Sequence, residues 1–322
     1  MHKSVFFLPL VYFLISSCID KNDLFPFTED FKPVLAQTAI DKCLADNPGV
    51  SSTSCDIKNC FASPVTLLAL KELLIEVDKA LKKVGVKYWV DSGSAIGAYR
   101  HFLLPWDDDV DLGVIKEDFT PAKRELLKKE LVRQGFSFGP LTSPSWLQSA
   151  TGVEGVWQVS LGKARFLALV NRYKPDINPI DADNLWESYD LQNRLYPSLD
   201  IFEFIEVEPG KYTYAAKTLA TNQWKNKLID KDKLVGSKTV SIFGKDYPGI
   251  EDEKEYFKVA YHTDDILHDF VIFQDHKPRC EKLRLKDIRK HPEMLEYMFS
   301  YLSYVFGSDF DLTRAKARFN LK

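Results

Sequence analysis

The strongest periodic signal along the chain is helical. From Val65 to Val84, Leu67, Leu68, Leu70, Leu74, Val77 and Leu81 recur at helical spacing, and Lys71, Glu72, Glu76 and Lys79 fall largely on the other face. Gly85 closes that helix, as a glycine just past a last turn usually does. Lys87–Val90 reads as a short strand that runs into a small-residue turn, Asp91-Ser92-Gly93-Ser94. The pattern then predicts a short helix from Ala95 to about His101, apolar positions from Leu103 to Trp106, an acidic turn, and a strand from Asp109 to Ile115. Pro121 suits the first turn of a following helix, which should carry Leu126, Leu127 and Leu131 inward and end near Gly135.

The middle of the chain reads as strands. Val156–Leu161, Phe166–Val170 and Leu199–Ile205 are rich in β-branched and aromatic residues. The polar stretch from Lys174 to Gln192, with four aspartates and two prolines, looks like an irregular insert or lid. Glu253–Tyr261 and Pro292–Val305 are the later helices. Mixed helices and strands with no repeat point to an α+β protein.

Composition changes the picture at the two ends of the question. With 45% hydrophobic residues the chain can fill a substantial core, so disorder is not the expectation. A formal net charge of −3, with Lys and Arg spread along the chain, does not suggest a nucleic-acid binder. The first nineteen residues read as a leader: His2 and Lys3 are a basic start, Ser4–Ile19 carries no charge, and Asp20 ends the run. The run is shorter than a membrane span and holds Pro9, which favours a signal peptide over a short anchor that would tether the chain to a membrane through residues 4–19. Ile15-Ser16-Ser17-Cys18 also resembles a bacterial lipoprotein processing site. Residues 20–62 read as a stem with a cysteine cluster, and 63–322 as the folded domain. Cys43, Cys55, Cys60 and Cys280 allow one or two disulfides behind a secretory leader, with a local staple among the first three.

Chemistry concentrates between Tyr88 and Val114, in YWVDSGSAIGAYRHFLLPWDDDVDLGV. In a strand, Asp109 and Asp111 point to one face while Val110 and Leu112 point to the other. Two carboxylates so placed repel unless a cation lies between them, and Mg2+ or Mn2+ prefers such oxygen ligands. An isolated pair of this kind is more often a solvated acidic turn. Here it opens an apolar strand and follows a strand–turn–helix in which the Gly93 and Ser94 amides could hold a phosphate. Asp200, flanked by Leu199 and Ile201 in LDIFEFI, is out of place in an apolar strand unless it is paired or metal-bound, and suits metal ligation or deprotonation of a hydroxyl.

DSGSAIGAYRH, then PWDDDVDLGV, then LDIFEF resemble, in order and spacing, the LicD family, which includes fukutin and fukutin-related protein. EYFKVAYHTDDI is a weaker echo, and the resemblance covers about Pro64–Ile266. It implies a nucleotidyltransferase-type mixed sheet flanked by helices, with irregular inserts. It also implies transfer of a phospho-alcohol, such as phosphocholine or ribitol phosphate, from a CDP-linked donor onto a glycan hydroxyl. Asp109 and Asp111 would hold Mg2+ or Mn2+, Asp200 would be the third carboxylate, and Gly93 and Ser94 would meet the donor phosphates. Arg100, in the family's basic pair with His101, has two readings: a phosphate contact, or a salt bridge to Asp91 or Asp108. Asp107 and Asp108 either add to the metal field or solvate the turn, the turn being favoured for Asp107, and Trp106 reads as core. Such chemistry with a leader fits a secretory-pathway lumen, Golgi or endoplasmic reticulum, or a secreted protein; Cys18 keeps a bacterial envelope lipoprotein in play. Two other readings stay open: a nucleotidyltransferase using a nucleoside triphosphate, and a non-catalytic binder of nucleotide or glycan.

Overall fold

The computed structural model describes residues 31–100, 102–141, 155–191, 197–215, 227–263, 265–272, 283–285 and 287–321. The leader, Cys18, His101 and Cys280 therefore lie outside the described residues. In chain order, α1 (Gln37–Asp46), α2 (Ser52–Cys55), α3 (Pro64–Val84), β1 (Tyr88–Val90), α4 (Ser92–Tyr99), β2 (Asp109–Ile115), α5 (Pro121–Arg133) and β3 (Phe136–Pro140) come first. Next are β4 (Val156–Leu161), α6 (Lys163–Tyr173), α7 (Pro179–Leu191), β5 (Ser198–Glu208), β6 (Lys211–Tyr214), β7 (Ile229–Asp230) and α8 (Lys231–Leu234). The chain closes with β8 (Thr239–Ile242), β9 (Lys245–Pro248), α9 (Glu253–Tyr261), β10 (Phe270–Ile272), β11 (Leu283–Leu285), α10 (Pro292–Phe306) and α11 (Leu312–Arg318).

The protein is α+β. Its main sheet runs β1-β2-β5-β4-β3, with β6 joined to the far half of β5 and β7 beyond it. β2 and β5 are parallel and the other pairings are antiparallel. α3 packs across one face. Ser63 caps its start by accepting from the Thr66 N–H at 3.1 Å, Pro64 occupies the first turn, and Gly85 ends it at φ 67°. Leu67, Leu70, Leu74, Val77 and Leu81 are buried there against Val90, Val110, Leu112, Leu199, Ile201 and Val159. Each such buried aliphatic side chain contributes about 2 kcal/mol. A second core lies on the opposite face, where Trp89, Phe204, Tyr214, Leu234, Tyr256 and Phe257 meet.

Several expectations are redrawn by packing. Phe166–Val170 is helical, within α6, because Phe166, Leu169 and Val170 are buried at positions three and four apart. A short apolar run alone does not separate a buried helix from a strand. Most of the segment expected to be an irregular insert is α7, pinned by Trp186 and Tyr189 against Phe166; the Tyr189 ring stacks on it at 4.9 Å. Leu126 faces solvent, 53% exposed, while Leu127 and Leu131 are buried as expected. The part of the expected stem that is described packs into the main core, with Phe31, Leu35, Ala39, Ile57 and Phe61 buried. Phe61 stacks on Tyr301 of α10 at 4.6 Å, a partner far away in sequence.

The local staple expected among the first cysteines is present as a Cys43–Cys55 disulfide, and Cys60 is disulfide-bonded too. The Cys43–Cys55 bond closes a short loop, 12 residues in separation, so its entropic effect on the unfolded chain is modest. Replacing both cysteines by alanine is expected to cost about 2–3 kcal/mol and lower the melting temperature by roughly 4–10 °C. A melt that does not move would show that this segment is not coupled to the cooperative unit. Among the described residues, no helix is long and apolar enough to cross a membrane.

Candidate active site

Polar side chains form a row across the middle of the sheet. Val90 is paired with Leu112, which makes Asp91 and Asp111 neighbours; the Asp91 N–H donates to the Asp111 carbonyl at 2.9 Å. Asp111 is in register with Asp200, and Asp200 with Gln158. In-register residues on neighbouring strands point to one side and stand about 5 Å apart. The row Asp91–Asp111–Asp200–Gln158 thus lies on the face away from α3, and Asp109 shares that face two residues earlier on β2.

Asp111 and Asp200 are nearly buried, 8% and 7% exposed, whereas Asp107, Asp108 and Asp109 are half-buried. Burial pushes the Asp111 carboxyl well above the usual carboxylate range, and the charges of Asp109, Asp200, Asp107 and Asp91 push it further. Asp200 is raised for the same first reason, burial, and next by Asp109; hydrogen bonds from Gln158 and Ser198 act in the opposite sense. Gln158 Nε2 also donates to Ser198 Oγ at 3.1 Å, and Ser198 Oγ donates to Asp200 Oδ1 at 3.4 Å. A set of hard oxygen donors, crowded, buried and mutually repelling, suits a divalent cation such as Mg2+ or Mn2+. Among the described residues no three acidic, histidine or cysteine side chains are already closed into a ligand set. Carboxylates that repel one another have no reason to converge before a cation joins them.

The first turn of α4, which takes in Ser92, Gly93 and Ser94 where the sequence pattern placed a turn ahead of a helix from Ala95, reaches this row. A methyl group added at Gly93 would stand 3.2 Å from Asp107 Oδ2 and 3.8 Å from Asp111 Oδ2, so the Gly93 backbone faces the acids directly. Ser94 is buried, and its Oγ accepts the Asp111 N–H at 3.0 Å, tying the start of α4 to β2. Asp107, read from the sequence as part of the turn, is thereby brought beside Asp111 and belongs to the acidic cluster.

Arg100 stands elsewhere. It follows the last turn of α4, roughly 10 Å along the helix from the Gly93 end at about 1.5 Å per residue. Its guanidinium is buried, lies 3.6 Å from the Phe270 ring centroid, and donates to the Ile266 and Asp269 carbonyls at 2.5–3.2 Å. Arg100 thus holds the segment before β10, neither Asp91 nor Asp108 is its hydrogen-bond partner in these bonds, and the charges of Asp269, Asp107 and Asp265 act on it. Trp106 is core, as expected. Lys163 is exposed and paired with Asp183 at 2.9 Å.

The site also contains residues that the sequence pattern did not single out: Gln158, Ser198, Tyr214 and Tyr256. Gln158 carried the signal that exposed Asp200, a polar residue inside an apolar strand, VWQVSL. The tyrosines carried none, because a tyrosine in a strand or helix usually packs by its ring.

An acidic row stands beside a glycine turn at the start of a helix, on a mixed sheet. Residues 85–140, which run from the end of α3 through β3, match the family model of the LicD/FKTN/FKRP nucleotidyltransferase domain. Over this segment, which supplies the turn and the acids of β2 but not Asp200, the resemblance to the LicD family is shown. The ribitol 5-phosphate transferase FKRP of Mus musculus is 48% identical over 59 residues, 18% of this chain and 12% of that protein. The ribitol-5-phosphate transferase FKTN of Mus musculus is 44% identical over 52 residues, 16% of this chain and 11% of that protein. An uncharacterized protein of Rickettsia typhi is 36% identical over 70 residues, 21% of this chain and 23% of that protein. The aligned stretch thus spans less than a quarter of the length of each of these relatives.

Proposed function

We propose that this protein is a divalent-cation-dependent transferase that moves a phospho-alcohol from a CDP-linked donor onto a glycan hydroxyl. The observation that carries this reading is the register of Asp111 with Asp200 beside the Gly93 turn. The names of two transferases similar to part of this chain support it. In this reading Asp109, Asp111 and Asp200 hold Mg2+ or Mn2+, which supplies charge compensation for the donor diphosphate. The amides at Gly93 and Ser94 orient a donor phosphate. Asp200, in register with Asp111, would help deprotonate the sugar hydroxyl that attacks the donor's β-phosphate, and CMP leaves. The leader read from the sequence would put this chemistry in a lumen supplied with nucleotide-linked donors.

The test incubates the full chain with Mn2+ or Mg2+, a sugar acceptor panel and CDP-choline, CDP-ribitol, CDP-glycerol or CDP-ethanolamine. Cation-dependent CMP release from one donor is expected. Pyrophosphate release from a nucleoside triphosphate, with no CMP from any CDP-alcohol, would replace the reading with a nucleotidyltransferase. Nucleotide binding without turnover by the folded protein would replace it with a binder.

A further inference from the structure

Asp91 is fully buried, yet its carboxyl is held by three neutral side-chain donors, with the Ser92 backbone acting in the same sense. Trp89 Nε1 donates to Oδ1 at 3.1 Å, the Tyr256 hydroxyl to Oδ1 at 2.7 Å, and the Tyr214 hydroxyl to Oδ2. Each tyrosine has one proton and gives it to Asp91, which leaves its oxygen lone pairs as acceptors. Both oxygens turn to the next residue: Tyr256 accepts the Ser92 N–H at 3.2 Å, and Tyr214 accepts from Ser92 Oγ at 2.9 Å. Ser92 itself sits at φ 47°, in the left-handed region that a side chain disfavours. Gly93, facing Asp107 and Asp111, and Ser94, bonded to the Asp111 amide, follow directly.

We infer that Tyr214 and Tyr256 are positioning residues that, through Asp91 and Ser92, clamp the Gly93–Ser94 turn in the conformation that receives the donor phosphate. The inference rests on the transferase reading. Tyr214 ends β6 and Tyr256 lies on α9, so two elements of the second core converge on two consecutive residues. An apolar residue in place of Asp91 would fill that core without burying a charge. What the carboxylate adds is a fixed point for both hydroxyls, and what the hydroxyls add is a grip on a strained residue. Through Ser94 the grip extends to the backbone of Asp111, so the spacing between turn and acids is set from the second core, on the same face of the sheet.

Tyr214→Phe and Tyr256→Phe in the full chain remove the hydroxyls and keep the rings. By hydrogen-exchange mass spectrometry, amides of Ser92–Ile96 are expected to exchange at least about tenfold faster, while α8 and the rest of α9 keep their wild-type protection. Cation-dependent CMP release should fall about 10–100-fold in kcat with the acceptor KM unchanged. Ser92→Gly added to Tyr256→Phe should restore part of that loss, because glycine holds a positive φ without a clamp. Faster exchange spread evenly through β6, α8 and α9 would assign the tyrosines to core stability and overturn the clamp. So would unchanged exchange at the turn, or no recovery with Ser92→Gly. If the wild type releases no CMP, the transferase reading fails, and the exchange pattern alone still decides whether the clamp exists.

Discussion

Asp109→Asn, Asp111→Asn and Asp200→Asn are each expected to lower cation-dependent CMP release by about a thousandfold or more, as loss of a metal-holding carboxylate does. For Asp111 the same change should stabilise the metal-free protein. Asp111 is raised above its ordinary value of 3.8 first by burial and then by neighbouring carboxylates. The folded state therefore binds its proton more tightly than the unfolded state does. The stability linked to that proton is fully present below about pH 4 and is lost as pH rises through the raised folded value. At pH 7–8 and without a cation, Asp111→Asn removes the strain, and a gain of about 1–3 kcal/mol, or roughly 2–8 °C in melting temperature, is expected. Mn2+ should raise the melting temperature of the wild type and do much less for the variant. Melts with EDTA and with Mn2+ at pH 5 and pH 8 separate these terms. Equal pH dependence and equal Mn2+ shifts in both proteins would rule out a cation site here.

Gly97→Ala is the backbone counterpart, and it should be severe. The chain leaves α4, bonds back through the Phe102 N–H to the Gly97 carbonyl at 3.0 Å, and passes so close that a methyl at Gly97 would sit 2.6 Å from the Phe102 oxygen and 3.2 Å from the Leu104 nitrogen. Those are backbone atoms and cannot swing aside. The strip they belong to is anchored further on, where the Ala62 N–H donates to the Pro105 carbonyl at 2.7 Å, and it leads straight into Asp107. Moving it means moving the acids. A loss of about 3 kcal/mol and roughly 6–12 °C in melting temperature is expected, together with loss of turnover. A variant melting within about 2 °C of the wild type would mean that the strip relaxes freely.

The site was legible in the sequence where it depends on local spacing. Asp109 and Asp111 share a face because strand side chains alternate, and Gly93 stands at a turn because a strand and a helix need one there. Asp200 was legible as an anomaly, an acid in an apolar run, although its distance along the chain said nothing about its neighbour. What Arg100 bonds to was not legible, for a related reason: α4 carries it away from the Gly93 end to the buried carbonyls of Ile266 and Asp269, which are distant in sequence. Asp107 looked like solvated turn because its closeness to Gly93 and its effect on Asp111 depend on other elements.

Sequence alone determined the elements whose hydrophobic period is long or whose ends are punctuated: α3 with its Gly85 stop, β2 with its paired acids, α9 and α10. It also determined the resemblance carried by the turn and the acids. Tertiary structure decided what depends on pairing between distant segments. It set Asp111 in register with Asp200 and Asp200 with Gln158, made α6 a helix, drew the segment after Phe31 into the core against α10, and brought Tyr214 and Tyr256 to Ser92. The physical reason is that alternation and helical period are properties of a few consecutive residues. Register, burial of a charge and the partner of a hydroxyl are settled only when the whole chain competes for the same interior.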